Sequence, residues 1–227
     1  MGKTDLSTAA MREPSEPPAT SAAREKILRT AHDLFYRDGV RATGVDTLIQ
    51  ASGVAKATFY RHFPSKDDLV LAFLDYRHRR WMGWFAESLA RHRAGQTEAE
   101  RKAAPLAPLS AALAEWFRDP AFRGCAFINS VAEVGAAPPG VREIAARHKM
   151  EMTAVIKELL GAAPGAAEVA QAVALVVDGA IVRAQTKAAE IDSALAALDL
   201  ACRALIGNAE APIQAPTLAT FRHSAKE

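Results

Sequence analysis

The sequence predicts an all-α protein of about nine helices, with a three-helix head near the N-terminus and a larger helical body behind it. Three observations carry this. Hydrophobic residues make up 50% of the 227 residues but aromatics only 7%, and the abundance of Ala suits close-packed helices better than a sheet. Apolar positions recur at three- and four-residue spacing between Gly and Pro stops. No alternating run of useful length interrupts them.

Taken in order, residues 1–20 mix Pro, Ser, Thr, Glu and Lys with few large apolar groups and read as a flexible arm. A first helix is expected from an N-cap at Ser21 to a stop at Asp38-Gly39, with Ile27, Ala31, Leu34 and Phe35 on one face. Thr43 is the expected N-cap of a second helix over 45–51. Gly53 supplies a turn, and a third helix covers 55–62. Leu48, Val54 and Phe59 form the small core between the two. Ser65 with Asp68 three residues on makes a capping box for a fourth helix over 66–93. The head therefore spans 21–68 and the body 69–207, with an Ala/Pro-rich mobile tail over 208–227.

Two short helices about a glycine turn have helix-turn-helix spacing, which suits reading of the DNA major groove. Lys56, Ala57, Thr58, Tyr60 and His62 fall away from Leu48 and Phe59, and short or hydrogen-bonding groups at a helix start can reach base edges. Tyr60 and His62 suit phosphate contact, or equally cover the head's own core. Lys66 can lean toward a phosphate. Between Arg24 and Lys66 eight basic residues face four acidic ones, so that stretch carries +4 of a chain whose net charge is +2. The rest is left near −2, and a basic head on a mildly acidic body fits contact with a polyanion.

The run Gly39-Val40-Arg41-Ala42-Thr43-Gly44-Val45-Asp46, followed by Ala51-Ser52-Gly53-Val54-Ala55-Lys56-Ala57-Thr58-Phe59-Tyr60-Arg61-His62-Phe63-Pro64-Ser65-Lys66, resembles the TetR family of bacterial transcriptional regulators. The resemblance covers about a fifth of the chain. It implies a homodimer whose two heads enter successive major grooves of a near-palindromic double-stranded DNA operator. It also implies a body that binds a small-molecule inducer and moves the heads out of register. By position, Thr43, Thr58, Tyr60, His62 and Lys66 match contact positions of the family, and Lys56 and Ala57 sit where base readers lie. Two departures stand out. Ala55 replaces a Ser that often caps the recognition helix, and Gly44 replaces a hydroxyl, which shifts the expected phosphate contact to Thr43.

In the body, 95–104 reads as a polar loop or frayed helix end, 106–118 as a helix, 130–134 as a short helix after Gly124-Cys125-Ala126-Phe127-Ile128-Asn129, and 135–139 as a turn. Helices over 141–160, 166–189 and 192–206 follow. Trp81, Trp84, Phe85, Trp116, Phe127, Asn129, His148 and Met152 are the candidate lining of an effector pocket, with ordinary core packing as the alternative for each. The helix over 166–189 is apolar on two faces, one through Val169, Val173, Val176, Ala180 and Ala184, the other through Ala172, Leu175, Gly179 and Val182. One face must meet the body and the other a partner. The expected homodimer interface takes Val169, Val173, Val176 and Ala180 with Leu195, Leu198 and Leu205.

Other classes find little support. No Ser-His-Asp order, phosphate loop or carboxylate pair suggests catalysis, so no enzyme and no cofactor is expected. His148 has no second His or Cys at i+3 or i+4, and two cysteines make neither a disulfide framework nor a metal cluster. Absence of a secretory or bilayer-spanning run points to the cytoplasm and away from membranes. The competing function is a structural or division-linked DNA binder that recruits a protein partner without an inducer.

Overall fold

The computed structural model describes residues 22–134 and 139–207, so the expected arm, tail and Ser21 cap, with residues 135–138 of the expected 135–139 turn, lie outside the described residues. All regular structure there is helical: α1 (Ala22–Asp38), α2 (Val45–Ser52), α3 (Lys56–His62), α4 (Lys66–Ala94), α5 (Glu98–Ala103), α6 (Ala107–Phe117), α7 (Ala126–Val134), α8 (Pro139–Leu160), α9 (Ala166–Thr186) and α10 (Ile191–Gly207). A 3-10 turn at Ala188–Glu190 joins the last two. The described residues thus hold ten α-helices.

The head is built where its apolar face closes. Ile27, Ala31 and Phe35 of α1, Leu48 of α2 and Phe59 of α3 are buried together with Phe63, Leu69 and Phe73. Gly53 ends α2 in the left-handed region, at φ 61°, and its N–H reaches Ile49 O and Gln50 O. That conformation costs a Cβ-bearing residue strain, which is why glycine serves here. Ser65 caps α4: its Oγ accepts from Asp68 N at 3.1 Å, while Asp68 Oδ2 accepts from Ser65 N at 3.1 Å. α4 then runs unbroken through the expected boundary at residue 68 and becomes the axis of the body.

Around α4 pack α6, α7 and α8, while α9 lies against α8 and α10 against both α9 and α6. Charged ties fix the layers: Ser88 Oγ donates to Glu115 at 2.8 Å and Arg91 bonds the same carboxylate at 2.9 Å. Arg147 pairs with Asp75, Lys149 with Asp178, and Arg118 with Asp192 at 2.7 Å.

Several boundaries differ from expectation for local reasons. Thr97 and Glu100 form a second capping box, so part of the expected loop folds as α5. α7 starts at Ala126, four residues early, with Asn129 N bonded to Cys125 O at 3.0 Å. α8 includes Pro139, a residue at home in a first turn. α9 stops at Thr186, where extended backbone at Lys187 breaks it. Thr43 does not cap α2. Gly44 holds that position without a side-chain bond, and the Thr43 hydroxyl turns back to Gly39 O at 2.7 Å.

Candidate functional site

The head presents one outward surface on α3. Lys56, Ala57, Tyr60 and Arg61 are exposed and Thr58 and His62 half-buried, whereas Phe59 between them is fully buried. A helix spacing of three to four residues produces this division. Ala55 precedes α3 with no side-chain cap. The exposed groups are lightly held: Lys56 Nζ lies 3.7 Å from Asp46, Arg61 sits 3.4 Å from Thr58 Oγ1, and Tyr60 meets Phe59 edge-on at 5.5 Å. Light tethering leaves them able to turn toward another surface.

Lys66 stands apart from α3, beside Arg41, Val40 and Val70 along a shallow crevice. Thr43 is only 3% exposed and its hydroxyl is already engaged, so contact there would fall to its backbone. Arg61, which sequence reading counted only as charge, joins the exposed surface of α3. Its position beside Tyr60 was the signal.

The head is locked to the body through residues far apart in sequence. Tyr36 Oη donates to Gly124 O and accepts from Arg123 N, both at 3.1 Å. The Arg77 guanidinium lies 3.8 Å over the Tyr36 ring and 3.4 Å from His32 Nε2. Glu133, at the end of α7, accepts from Arg41 N at 2.8 Å. It also fills the space over Gly39, where φ is +93° and an added Cβ would sit 2.9 Å from Glu133 Oε2. Tyr36, Arg77 and Glu133 were all missed from sequence, because contacts spanning such separations leave no local pattern.

Of the eight candidate pocket residues, the structure gathers Trp81, Trp84, Phe85, Trp116, Phe127 and His148 into one aromatic cluster. Trp81 stacks on Phe85 at 4.6 Å and meets Trp116 at 5.4 Å and His148 at 5.0 Å. Phe127 stacks on His148 at 3.8 Å. Met152 is buried in the same core. Asn129 is the exception: it faces a separate crevice of about 240 Å³ beside Gly39 and Glu133, and its Nδ2 donates to Arg123 O at 3.1 Å.

The expected partner face of α9 needs correction. Val169, Val173 and Ala180, with Leu198 of α10, are buried inside the chain's own core, because α8 and α10 cover that side. Val176, Leu195 and Leu205 are half-buried against the same core. What remains uncovered is the opposite stripe: Leu175 is 74% exposed, Val182 44%, and Leu200 of α10 65%.

Both cysteines are free and buried, and burial pushes the Cys202 thiol up to about 11. No group of three or more His, Cys, Asp or Glu among the described residues is placed to hold a metal ion. No described helix is long and apolar enough to cross a membrane.

Three buried histidines, His32 in the head and His78 and His148 in the body, make stability depend on pH. Burial first, then the charges of Lys149, His78 and Arg77, hold His148 down at about 2. Burial also lowers His78 and His32 below their ordinary value. In each case the unfolded chain binds protons that the fold does not, so stability is full above about pH 6.5 and declines as pH falls below it. His148 alone should cost about 2 kcal/mol between pH 7 and pH 5. Urea midpoints should fall across that range and fall less in His148→Phe; equal losses in both proteins would contradict this.

Comparison with known proteins places this architecture. A family model described as bacterial regulatory proteins, tetR family, matches residues 27–73. The regulator QacR of Staphylococcus aureus is 33% identical over 58 residues, which are 26% of this chain and 31% of that protein. AcuR of Cereibacter sphaeroides is 30% identical over 133 residues, 57% of each chain. Among solved structures, the TetR-family regulator SCO4454 of Streptomyces coelicolor superposes with a TM-score of 0.65 at 28% identity, covering 81% of this chain and 95% of that one. Residues 27–73 thus carry the head of the TetR family of bacterial regulatory proteins, and the described fold is similar to that of solved TetR-family regulators. The matches to several curated relatives, QacR included, span about a third or less of those proteins' length.

Proposed function

We propose that the chain is a cytoplasmic transcriptional repressor, which binds a near-palindromic operator as a homodimer and is released by a small molecule held in its body. The observation that carries this reading is the basic, lightly tethered surface of α3, set on a head whose core closes behind it. We divide the chain functionally into the head at 21–68 and the effector and dimerisation body at 69–207. Thr58, Lys56 and Ala57 read base edges; Tyr60, His62 and Lys66 hold phosphates, and Thr43 contributes through its backbone.

The second copy docks on the uncovered stripe of α9 and α10 through Leu175, Val182 and Leu200. Gly179 on that stripe leaves open space above its Cα, which permits close helix approach. α7 supplies the link between effector and head. Its first turn carries Phe127 in the aromatic cluster and its last carries Glu133 on the Gly39–Arg41 turn. A helix of nine residues moves as one piece, so displacement of Phe127 shifts the grip of Glu133.

Quantitative binding to DNA selected from a random pool tests the reading. Tyr60→Phe and Lys66→Ala should weaken binding several-fold across all sequences, whereas Lys56→Ala and Thr58→Ala should also change the preferred sequence. Parental affinity and preference in all four variants would overturn the assignment.

A further inference from the structure

The aromatic cluster contains an unresolved polar demand. Trp81 and Trp84 are 2% and 6% exposed, and among the described residues neither indole Nε1 finds an acceptor. Buried tryptophan N–H groups ordinarily donate, because an unmet donor in a low-dielectric core is expensive. Here two such donors occur three residues apart on α4, with ring centroids 6.2 Å apart, and both rings pack on Trp116. An ordinary apolar core would use Phe at these positions and leave nothing unmet.

The surrounding charge selects among ligands. Arg77 of α4 and Lys149 of α8 both act on His148, which stays neutral. The neighbouring carboxylates are engaged: Glu115 by Ser88 and Arg91, Glu151 by His78, Asp178 by Lys149. A cation entering the cluster would meet the positive ends of two N–H dipoles, despite the ring faces that could otherwise hold it. A flat molecule carrying an electron-rich oxygen would meet ring faces for its body and donors for its oxygen.

We propose that the effector of this body is a flat, mostly apolar molecule bearing a carbonyl-type oxygen, which accepts hydrogen bonds from Nε1 of Trp81 and Trp84. This rests on the reading of the body as an effector domain. Both indoles are buried, so entry of a ligand requires them to part. Phe127, packed on His148 within the same cluster, then moves with them.

The test is titration calorimetry of the full chain with four probes of similar size: 2-acetylnaphthalene, 2-naphthoate, 2-ethylnaphthalene and N-methylquinolinium. The ketone, the carboxylate or both should bind about tenfold tighter than the hydrocarbon and the cation. The ketone and carboxylate arms separate a neutral acceptor from an anionic one. Trp81→Phe and Trp84→Phe keep a ring but remove the donor, so each should erode that advantage while binding of 2-ethylnaphthalene persists. Circular dichroism of both variants establishes that they fold. Equal or tighter binding of the hydrocarbon or the cation would overturn the proposal, as would failure of both oxygen-bearing probes to bind. So would an advantage that survives both substitutions. Sequence-specific DNA binding by the unliganded wild type is scored separately, so failure of the ligand chemistry and failure of the regulator reading give different results.

Discussion

Replacing Leu175 and Val182 together by Glu should split the protein into single chains and reduce operator affinity by about a hundredfold or more. Both side chains lie on the stripe of α9 that the chain's own core leaves uncovered. A closed two-fold contact meets the same patch on its partner, so two substitutions place four carboxylates at one interface. Burying unpaired charges there costs far more than the apolar contact supplies. Each head alone keeps its own contacts but loses the gain from binding two half-sites at once. Native mass by light scattering should fall from two chains to one, with helical content unchanged. The same pair of changes at Val169 and Val173 should instead unfold the body, since those side chains are 8% and 0% exposed within it. A double variant at Leu175 and Val182 that remains a dimer would show that the partner uses another face.

Phe59→Ala should abolish DNA binding by melting the head. Phe59 has no exposed surface and packs against Tyr60 and Phe63 between α3 and the rest of the head core. Truncating such a residue costs about 3–5 kcal/mol, a large share of what a small helical head can hold in reserve. The body, whose core lies along α4, α6 and α8, should stay folded. Hydrogen exchange should therefore accelerate across 22–63 and remain slow in the body. Uniform loss of protection would show that head and body unfold as one unit.

The head was the most legible part of the chain. Gly39 and Gly53 mark the turns because only left-handed backbone fits there, and Ser65 with Asp68 announces α4 just ahead of the apolar run that starts at Leu69. These signals are local, and local signals survive in sequence. α7 was half hidden because Ala126-Phe127-Ile128 is continuously apolar and shows no period. The two apolar stripes of α9 were legible, but not which of them faces outward. Val173 and Leu175 look equally ready for burial, and only the positions of α8 and α10 decide which one faces the core.

The links that tie head to body were not legible at all. Arg41 and Glu133 stand 92 residues apart, and Tyr36 and Gly124 stand 88 apart. Nothing in either neighbourhood announces its partner. The two unmet indole donors belong to the same category: Trp81 and Trp84 were recognisable as large apolar residues of α4, but their lack of acceptors is a property of the packed cluster. Sequence named most of the aromatic residues brought together there, while the fold supplied the chemistry.

On the proposed function, two α3 surfaces of a homodimer together read a defined DNA sequence. The most direct measurement is a footprint of the wild-type chain at moderate salt on DNA selected from a random pool. Protection should cover an inverted repeat whose half-sites lie on one face of the duplex, an integral number of turns apart at about 10 base pairs per turn. Protection that spreads evenly along any DNA and fades as salt rises would contradict it.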